Sequence, residues 1–483
     1  MSDRRRVLSV VAIAWTALAG IAAAQEPGRY DHYTIYDTDL PPRAEYAARR
    51  GRVLSALEDR AALLVRAADV KNRSNDIDYE FRQRNNLLYL TGVTEDESAL
   101  LIVPHGITIN GTVTKEVLFV KERNASSEVW TGITMGPATA AKVTGIQTVL
   151  PYSQLSQQMK QLLPTIGTLY YDDWKFNVER EPLTGTAYAW EEQMLKQLEA
   201  INPSLVVKNA GIILNPLRLV KSPNELALMQ RAIDASIKGH RQTIRTAKPG
   251  MYEYQFEAVM EYGFQRNGAR WPGYPSIVGS GPNTCILHYE TNRRKSEPGD
   301  LVLMDCGAEY HGYSADITRT FPVNGTFTPE QRTLYDLVLQ AQNAGIAECL
   351  PGNDFRDPHR AATKVIADGL IKLGIIQNSG QVGRYFMHGT SHYLGLDVHD
   401  VGDYGALVPG VVLTVEPGIY IKEGSPCDPK WWNIGIRIED DILVTEQGPH
   451  NMSAALERTA QEIERLMNAP AEKPDRENGE ADR

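Results

Sequence analysis

The stretch from Met304 to Thr320, MDCGAEYHGYSADITRT, constrains the fold of this chain more than any other. It predicts two strands joined by a turn that contains glycine, with Asp305 on one arm nearly opposite Asp316 on the other. Directly opposed residues have Cβ atoms roughly 4.5–5.5 Å apart, so the two carboxylates would repel each other unless a cation lay between them. The alternative, that both are solvated acids flanking a turn, stays open on these residues alone.

The length and composition predict two globular domains rather than one. A chain of 483 residues is too long to fold around a single hydrophobic core of ordinary size. Its 42% hydrophobic and 23% charged residues are close to globular averages, so most of the chain is expected to fold. The formal net charge of −10, without any basic block, argues against a nucleic-acid partner.

Both ends of the chain differ from the rest. Residues 1–24 begin with an arginine cluster, continue in an uncharged apolar run and end in Ala22–Ala24. This order is typical of a secretory signal peptide cleaved near Ala24, so we expect a secreted or periplasmic protein, with an uncleaved membrane anchor as the weaker alternative. No other run is apolar enough to span a bilayer after cleavage. Residues 468–483 lack an apolar period and are expected to be disordered.

The four cysteines are too few, in a chain of this size, to form a disulfide framework. We interpret Cys285, Cys306, Cys349 and Cys427 as small buried hydrophobic residues. One disulfide between two of them stays open.

The sequence pattern changes near residue 215, which predicts a domain boundary there. In residues 25–215 short apolar runs alternate with helical stretches, which predicts an amino-terminal α/β domain. This half holds no cluster of metal ligands or nucleophiles, so we expect it to be structural, to mediate oligomerisation or to form one wall of a site. Residues 216–467 form the second predicted domain, which opens on a capping box, Ser222–Glu225, at the start of a helix.

Three histidines lie within twelve residues of the second domain, at His388, His392 and His399, although the whole chain has only ten. A lone histidine is more often a core or surface residue, but three so close together favour a functional site. Gly389 and Gly395 favour a loop and strand over a helix, despite the spacing of the first two histidines.

Two later strands each carry an acid on one face. Alternation turns Thr414 and Glu416 away from their apolar neighbours, and it places Arg437 and Glu439 together in the same way. If these faces line a cavity, each presents a carboxylate to it. The alternative is the polar outer face of an antiparallel sheet.

Together these stretches supply four carboxylates and one imidazole as candidate metal ligands: Asp305, Asp316, His392, Glu416 and Glu439. Ligands that are mostly oxygen with one nitrogen favour Mn²⁺, and Co²⁺, Zn²⁺ or Fe²⁺ also suit them. Four carboxylates are too many for one catalytic ion. They are enough to bridge two divalent ions about 3.5–4 Å apart that hold a hydroxide between them.

The motifs GAEYxGYxxDITRTF, HGxSHxLGLDVHD, VEPG and GIRIEDD resemble those of the pita-bread metallopeptidases, in particular the Xaa-Pro aminopeptidase (aminopeptidase P) branch. The resemblance covers nearly all of residues 216–450. It extends to Phe81–Gly92, which is similar to the amino-terminal domain that accompanies this catalytic domain. It therefore implies an α+β fold, with a pita-bread catalytic domain preceded by a smaller α/β domain.

The resemblance also implies a role for each candidate residue. One ion would be held by Asp305, Asp316 and Glu439, and the other by Asp316, His392, Glu416 and Glu439. Glu416 would also act as the acid/base on a bridging hydroxide. The catalytic and substrate-binding residues around the peptide would be His288, His388, His399 and Arg437, with His399 stabilising the oxyanion.

The implied substrates are peptides with proline at the second position, and the implied assembly is a homo-oligomer, a dimer or a tetramer. Cys306, Thr390 and a short loop after Asp400 depart from the family pattern without touching a predicted ligand. Prolidase, which acts on Xaa-Pro dipeptides, is the alternative within the class. A metal-free binding module on the same fold is the alternative outside it, although such proteins lose metal ligands and this chain keeps all five.

Overall fold

The computed structural model describes residues 28–30, 33–172, 178–180, 182–185 and 187–469. The predicted signal peptide lies outside the described residues, as does the predicted disordered tail from residue 470 onward. At the start of that tail, the Asn468 side chain donates a hydrogen bond of 3.0 Å to the carbonyl oxygen of Gly325.

The amino-terminal part is built on a mixed six-stranded sheet, made of strands Val206–Asn209, Thr168–Tyr171, Ala61–Arg66, Ala99–Ile109, Thr112–Val120 and Val149–Pro151 in that order across the sheet. Its elements are β1 (Gly28–Tyr30), β2 (Tyr33–Ile35), α1 (Arg43–Ala56), β3 (Ala61–Arg66), β4 (Asn72–Ser74), β5 (Ile77–Asp78), α2 (Asn85–Thr91), β6 (Ala99–Ile109), β7 (Thr112–Val120), α3 (Ala125–Thr131), α4 (Gly136–Thr144), β8 (Val149–Pro151), α5 (Leu155–Leu162), β9 (Thr168–Tyr171), β10 (Val178–Arg180), β11 (Ala187–Ala189), α6 (Trp190–Ile201) and β12 (Val206–Asn209). Strand β3 runs parallel to β9 and antiparallel to β6. Its first five residues are all buried, as expected of a central strand covered on both faces, so the predicted α/β layering is confirmed.

The second part combines paired helices with short antiparallel strands. Its elements are α7 (Gly211–Leu219), α8 (Pro223–Thr246), α9 (Glu253–Arg266), β13 (Trp271–Pro272), β14 (Ile277–Ser280), β15 (Leu301–Asp305), β16 (Ala308–Tyr310), β17 (Tyr313–Ser314), β18 (Thr318–Pro322), α10 (Pro329–Ala347), α11 (Asp357–Lys372), β19 (Val412–Val415), β20 (Gly418–Ile421), β21 (Ile434–Arg437), β22 (Asp440–Thr445), β23 (Gly448–Asn451) and α12 (Ala460–Met467). Helices α8 and α9 pack together against β13, β14, β16 and β17, and α10 and α11 pair with each other, with α10 against β19, β20 and β21. Strands β19 and β21, which lead to Glu416 and Glu439, therefore lie against α10.

The predicted capping box opens α8. The Ser222 hydroxyl accepts from the amide of Glu225 at 3.2 Å, and the Glu225 carboxylate accepts from the amide of Ser222 at 3.0 Å. Helix α7 runs across residue 215 with Pro216 in its interior, and the division of the chain at that residue stays a prediction.

The polar faces of the later strands lie inside the protein. Thr414 is fully buried, and Arg437 and Glu439 are exposed by only 3% and 1%. The alternative of a solvated outer sheet face is therefore wrong. The strands do not form an outer sheet face, since α10 packs against both β19 and β21.

The hairpin forms as predicted, but its register differs from the expectation. The turn is His311–Gly312, both residues with positive φ, and Tyr310 pairs with Tyr313. In this register Asp305 pairs with Thr318, so Asp316 lies two residues nearer the turn than the partner of Asp305. Both acids still share a face because side chains alternate along each arm.

The four cysteines are free, so the disulfide left open by the sequence does not form. Cys285, Cys306 and Cys349 are buried and Cys427 is half-buried. In the part of the chain that the structure describes, none of the helices is both long and apolar enough to cross a bilayer.

Candidate metal centre

The hairpin, the loop that carries His388, His392 and His399 (the histidine loop) and the two later strands bring the five predicted ligands into one largely buried cluster, the acid cluster. His392 Nε2 lies 3.2 Å from Oδ2 of Asp316 and 3.7 Å from Oε1 of Glu416. Ligand atoms of Asp316, His392 and Glu439 all lie within 4.8 Å of one another. These residues come from four stretches far apart in the chain and present donor atoms to the same small volume.

The histidine loop reaches the cluster by pairing with β19. The amide of Thr414 donates to the carbonyl oxygen of His392 at 3.0 Å, and the amide of Glu416 donates to that of Thr390 at 2.8 Å. The His392 amide donates in turn to the Thr414 hydroxyl at 3.1 Å. These bonds fix His392 beside Glu416, and the loop that holds them is irregular, as its glycines predicted.

Glu439 reaches the cluster from the end of β21. The hydroxyl of Thr318 donates to Oε2 of Glu439 at 2.5 Å, and the Glu439 amide donates to the Thr318 carbonyl oxygen at 3.2 Å. The hairpin arm that carries Asp316 is thereby attached to the strand that carries Glu439.

The His392 ring is oriented as a metal ligand would be. Its Nδ1 donates to the carbonyl oxygen of Tyr393 at 3.1 Å, which leaves Nε2 as the nitrogen that faces Asp316 and Glu416. Metal-binding histidines usually donate their second ring nitrogen to such an outer acceptor, which fixes the tautomer.

Arg437 neutralises one of the carboxylates. Its Nη2 lies 2.6 Å from Oδ2 of Asp305. Burial would raise the pKa of Asp305, but the Arg437 guanidinium and a hydrogen bond from Tyr274 hold that pKa below its usual range.

The other three carboxylates resist ionisation. Burial, followed by repulsion from Asp305, raises the pKa of Asp316. Burial raises the pKa of Glu416 to about 7, and burial and the neighbouring acids raise that of Glu439 well above its ordinary value. The pKa of His392 rises to about 9 because Asp316 and Glu416 outweigh the effect of its burial.

These pKa values test whether divalent ions fit the site. Three buried carboxylates and the half-buried Glu416, beside one guanidinium, confine more negative charge than the protein neutralises, so protons are retained in the absence of a stronger cation. Divalent cations would replace those protons, and the donor set of oxygen with one imidazole nitrogen suits ions of the Mn²⁺ class. The residues present therefore fit a metal centre.

A chain of hydrogen bonds leads from Arg437 to His388. Arg437 Nη1 donates to the hydroxyl of Tyr420 at 2.9 Å, and that hydroxyl lies 2.8 Å from Nε2 of His388. Nδ1 of His388 donates to the carbonyl oxygen of Gly389 at 2.7 Å, so both of its ring nitrogens are engaged. Burial, with the charge of Arg437, lowers the pKa of His388 to about 4, and the ring is neutral.

The remaining two predicted residues border the same cluster. The ring centroid of His399 lies 4.2 Å from that of His392. Burial, then the charges of His392 and His288, lowers the pKa of His399. The carbonyl oxygen of Leu287, next to His288, accepts from Arg437 Nη2 at 3.4 Å.

Sequence reasoning missed three side chains that contact the cluster. The Tyr274 hydroxyl lies 2.6 Å from Oδ1 of both Asp305 and Asp316, and nothing in its glycine-rich surroundings signals this. Thr318 could have been found, because it lies two residues beyond Asp316 on the same strand face. Tyr420 carries a weaker signal: any side chain at Gly418 would collide with its ring, which explains the glycine of the VEPG motif.

Two cavities adjoin the hairpin tip rather than the acid cluster. Their volumes are about 610 and 420 Å³. Arg82, Trp271 and Glu309 line both, so the cavities lie at the seam between the two parts of the chain.

Comparison with known proteins places both parts in described families. The model of metallopeptidase family M24 matches residues 227–446, and that of the aminopeptidase P N-terminal domain matches residues 46–170. The chain is 38% identical to the Xaa-Pro aminopeptidase of Escherichia coli over 441 residues, which cover 88% of this chain and 98% of that protein. It is 36% identical to the Xaa-Pro aminopeptidase of Haemophilus influenzae, with the same coverage. The structure of E. coli aminopeptidase P with the inhibitor Pro-Leu matches with a TM-score of 0.80 and 37% identity, covering 88% of this chain and 98% of that one.

Proposed function

The chain belongs to metallopeptidase family M24, and on that premise we propose that it is an aminopeptidase that hydrolyses the N-terminal Xaa-Pro bond of peptides with two bound divalent metal ions. The predicted resemblance, and the α+β fold with its smaller amino-terminal α/β domain, are confirmed by the family matches and by the likeness to aminopeptidase P. The observation that carries the proposal is the meeting of four carboxylates and one correctly oriented imidazole in a single, largely buried cluster.

The donor set supports the following metal arrangement. Asp305, Asp316 and Glu439 would hold one ion, and Asp316, His392, Glu416 and Glu439 the other, with Mn²⁺ as the proposed metal and Co²⁺, Zn²⁺ or Fe²⁺ as substitutes. When bound, such ions lower the pKa of water and polarise a carbonyl group.

Glu416 is the proposed proton carrier. A carboxylate beside the reacting bond can take a proton from the attacking water and pass it to the leaving group. The leaving group here is the nitrogen of proline, which has no N–H in the peptide and must gain a proton to depart as an amine. A buried carboxyl group beside the reacting bond supplies that proton without exposing the site to bulk water.

Four further side chains are proposed to surround the substrate. His399 would donate a hydrogen bond to the developing oxyanion, and His288 would border the peptide. Arg437 is tied to Asp305 and Tyr420 and would keep the wall of the site rigid, while His388 would act through the Tyr420 hydroxyl.

The deciding experiment compares two substrates on the Mn²⁺-loaded protein. An Xaa-Pro-Yaa tripeptide should be cleaved, with release of the first residue, and Glu416→Gln should abolish turnover. Cleavage of an Xaa-Pro dipeptide alone would make the protein a prolidase. Absence of tightly bound metal, together with no turnover of either peptide, would favour the binding module.

Localisation and assembly are also proposals. The arginine cluster, apolar run and alanine site of residues 1–24 support export to the periplasm or outside the cell, and cell fractionation with amino-terminal sequencing would test cleavage near Ala24. A homodimer or homotetramer is proposed from the family resemblance alone, and light scattering of the purified protein would test it.

A further inference from the structure

We infer that Arg82, in the amino-terminal part, is a positioning residue for the metal centre: it fixes the hairpin that carries Asp305 and Asp316 against the loop that carries His392 and His399. The inference rests on the proposed function for the identity of the site. It assigns a specific task to the half of the chain in which the sequence offers no catalytic cluster.

The guanidinium of Arg82 joins three segments. Its Nε donates to Oε2 of Glu309 at 2.6 Å, in the hairpin tip, and its Nη2 donates to the carbonyl oxygen of Leu396 at 2.8 Å, in the histidine loop. Its Nη1 donates to Oδ1 of Asn85 at 2.9 Å, which holds the guanidinium to its own segment. A planar group with fixed donor directions therefore sets the position of hairpin and loop relative to each other.

Glu309 depends on this contact. Its side chain is exposed by only 5%, and the indole N–H of Trp271 donates to its Oε1 at 2.7 Å. If Glu309 lost the Arg82 cation, its carboxylate would stay buried without a neutralising charge, which is energetically costly. The hairpin tip, residues 308–314, would then have to move toward solvent.

The contact lies a short distance along the chain from the ligands. The amide of Ser314 donates to the carbonyl oxygen of Gly395 at 2.9 Å, and this bond also joins hairpin and loop. Asp316 follows Ser314 by two residues, and His392 precedes Gly395 by three. The separation of 3.2 Å between His392 Nε2 and Asp316 Oδ2 is the distance that these bonds maintain.

A second set of contacts joins the Arg82 segment, through Asn86 and Arg218, to the far end of the histidine loop. Asn86 Oδ1 accepts from Nη1 of Arg218 at 2.9 Å. Nη2 of Arg218 lies 2.8 Å from Oδ2 of Asp397 and 2.5 Å from Oδ1 of Asp400, the residue after His399. Residues 82–86 therefore hold the histidine loop at several points along its length.

Replacing Arg82 should misplace His392 relative to Asp316 without removing any ligand. We expect Arg82→Met to lower kcat by roughly tenfold or more with little change in KM, since small displacements of a catalytic group have large effects on rate. We expect the affinity for the ion held by His392 to fall by roughly tenfold as well, the size typical of a lost outer contact. Arg82→Lys keeps a charge for Glu309 but cannot also reach Leu396, so its effects should be intermediate.

The test measures Mn²⁺ binding to the metal-free protein by calorimetry, and kcat and KM on an Xaa-Pro-Yaa peptide. Arg82→Met should also regain kcat on addition of methylguanidinium, because Arg82 borders cavities of about 610 and 420 Å³ that a small cation can enter. The matched control is Arg52→Met on α1, whose side chain is exposed and which should bind Mn²⁺ like the parent protein.

The outcomes separate the inference from the proposed function. Binding of both ions and a kcat within about twofold of the parent in Arg82→Met would overturn the inference. If thermal unfolding shows that Arg82→Met is not folded, the Mn²⁺ affinity and kcat of Arg82→Lys are judged by the same criteria. If the parent protein binds Mn²⁺ but cleaves no Xaa-Pro peptide, the proposed function fails, and the calorimetric comparison still tests the positioning role.

Discussion

Arg437 and Asp305 form a buried ion pair in which Nη2 lies 2.6 Å from Oδ2. Because of this pair, the pKa of Asp305 differs in direction from the pKa values of the other three carboxylates in the acid cluster. Asp305 stays ionised beside the guanidinium, whereas the pKa values of the other three carboxylates are raised. Divalent ions entering the site would therefore displace protons from those three groups and from His392, but not from Asp305.

Metal binding should release protons. At pH 6.5 the pKa of about 7 for Glu416 and of about 9 for His392 leaves both groups largely protonated before metal enters. We expect roughly two or more protons per protein to be released when Mn²⁺ binds, since the ligands must be deprotonated. Calorimetric titration in two buffers of different ionisation enthalpy measures this number, and a value near zero would contradict the assigned protonation.

The metal-free protein should lose stability as pH rises from about 6.5 to 9. The pKa of His392 is raised from 6.5 to about 9 and that of Glu416 from 4.5 to about 7, so both groups bind more protons in the folded than in the unfolded state at the start of this window. The lowered pKa values of His388 and His399 act in the opposite direction, but below pH 6.5. Stability therefore falls with increasing pH above 6.5. The midpoint of thermal unfolding should be lower at pH 9 than at pH 6.5 in the presence of a chelator, and Mn²⁺ should raise it most at the alkaline end. An increase with pH in the metal-free protein would contradict the prediction.

Asp316→Asn should cost more metal and more activity than Asp305→Asn. Asp316 lies beside His392 and is assigned to both ions, whereas Asp305 is paired with Arg437 and assigned to one. We expect Asp305→Asn to keep one ion and Asp316→Asn to keep neither. Metal content after gel filtration, compared with kcat, measures both effects, and the reverse order would count against the assignment of the bridging ligand.

Tyr274→Phe should weaken metal binding while the fold is retained. The hydroxyl of Tyr274 contacts both hairpin acids, and such outer hydrogen bonds typically contribute about 10–100-fold in metal affinity. Tyr254→Phe is the control, because Tyr254 is 38% exposed and stacks on Tyr252 away from the acids. Equal Mn²⁺ affinity in the two variants would show that the Tyr274 hydroxyl does not support the ligands.

Local patterns in the sequence were enough to predict the candidate ligands but not their outer partners. Alternation along β21 placed Arg437 and Glu439 on one face, and the capping box placed the start of α8 at Ser222, because both signals are local. The bond from Arg82 to Leu396 joins residues 314 positions apart, and no local pattern encodes which distant segment a side chain will meet. The hairpin register followed from the two-residue turn at His311–Gly312, which the sequence placed only approximately.

The dispersal of the ligands along the chain also sets when the site can exist. Asp305 is the first of the five to leave the ribosome and Glu439 the last. A chain cut anywhere before Glu439 lacks an assigned bridging ligand, so the full set of ligands exists only once synthesis has passed that residue. If the chain crosses a membrane unfolded, the site forms only on the far side, and its ions must come from that compartment rather than from the cytoplasm.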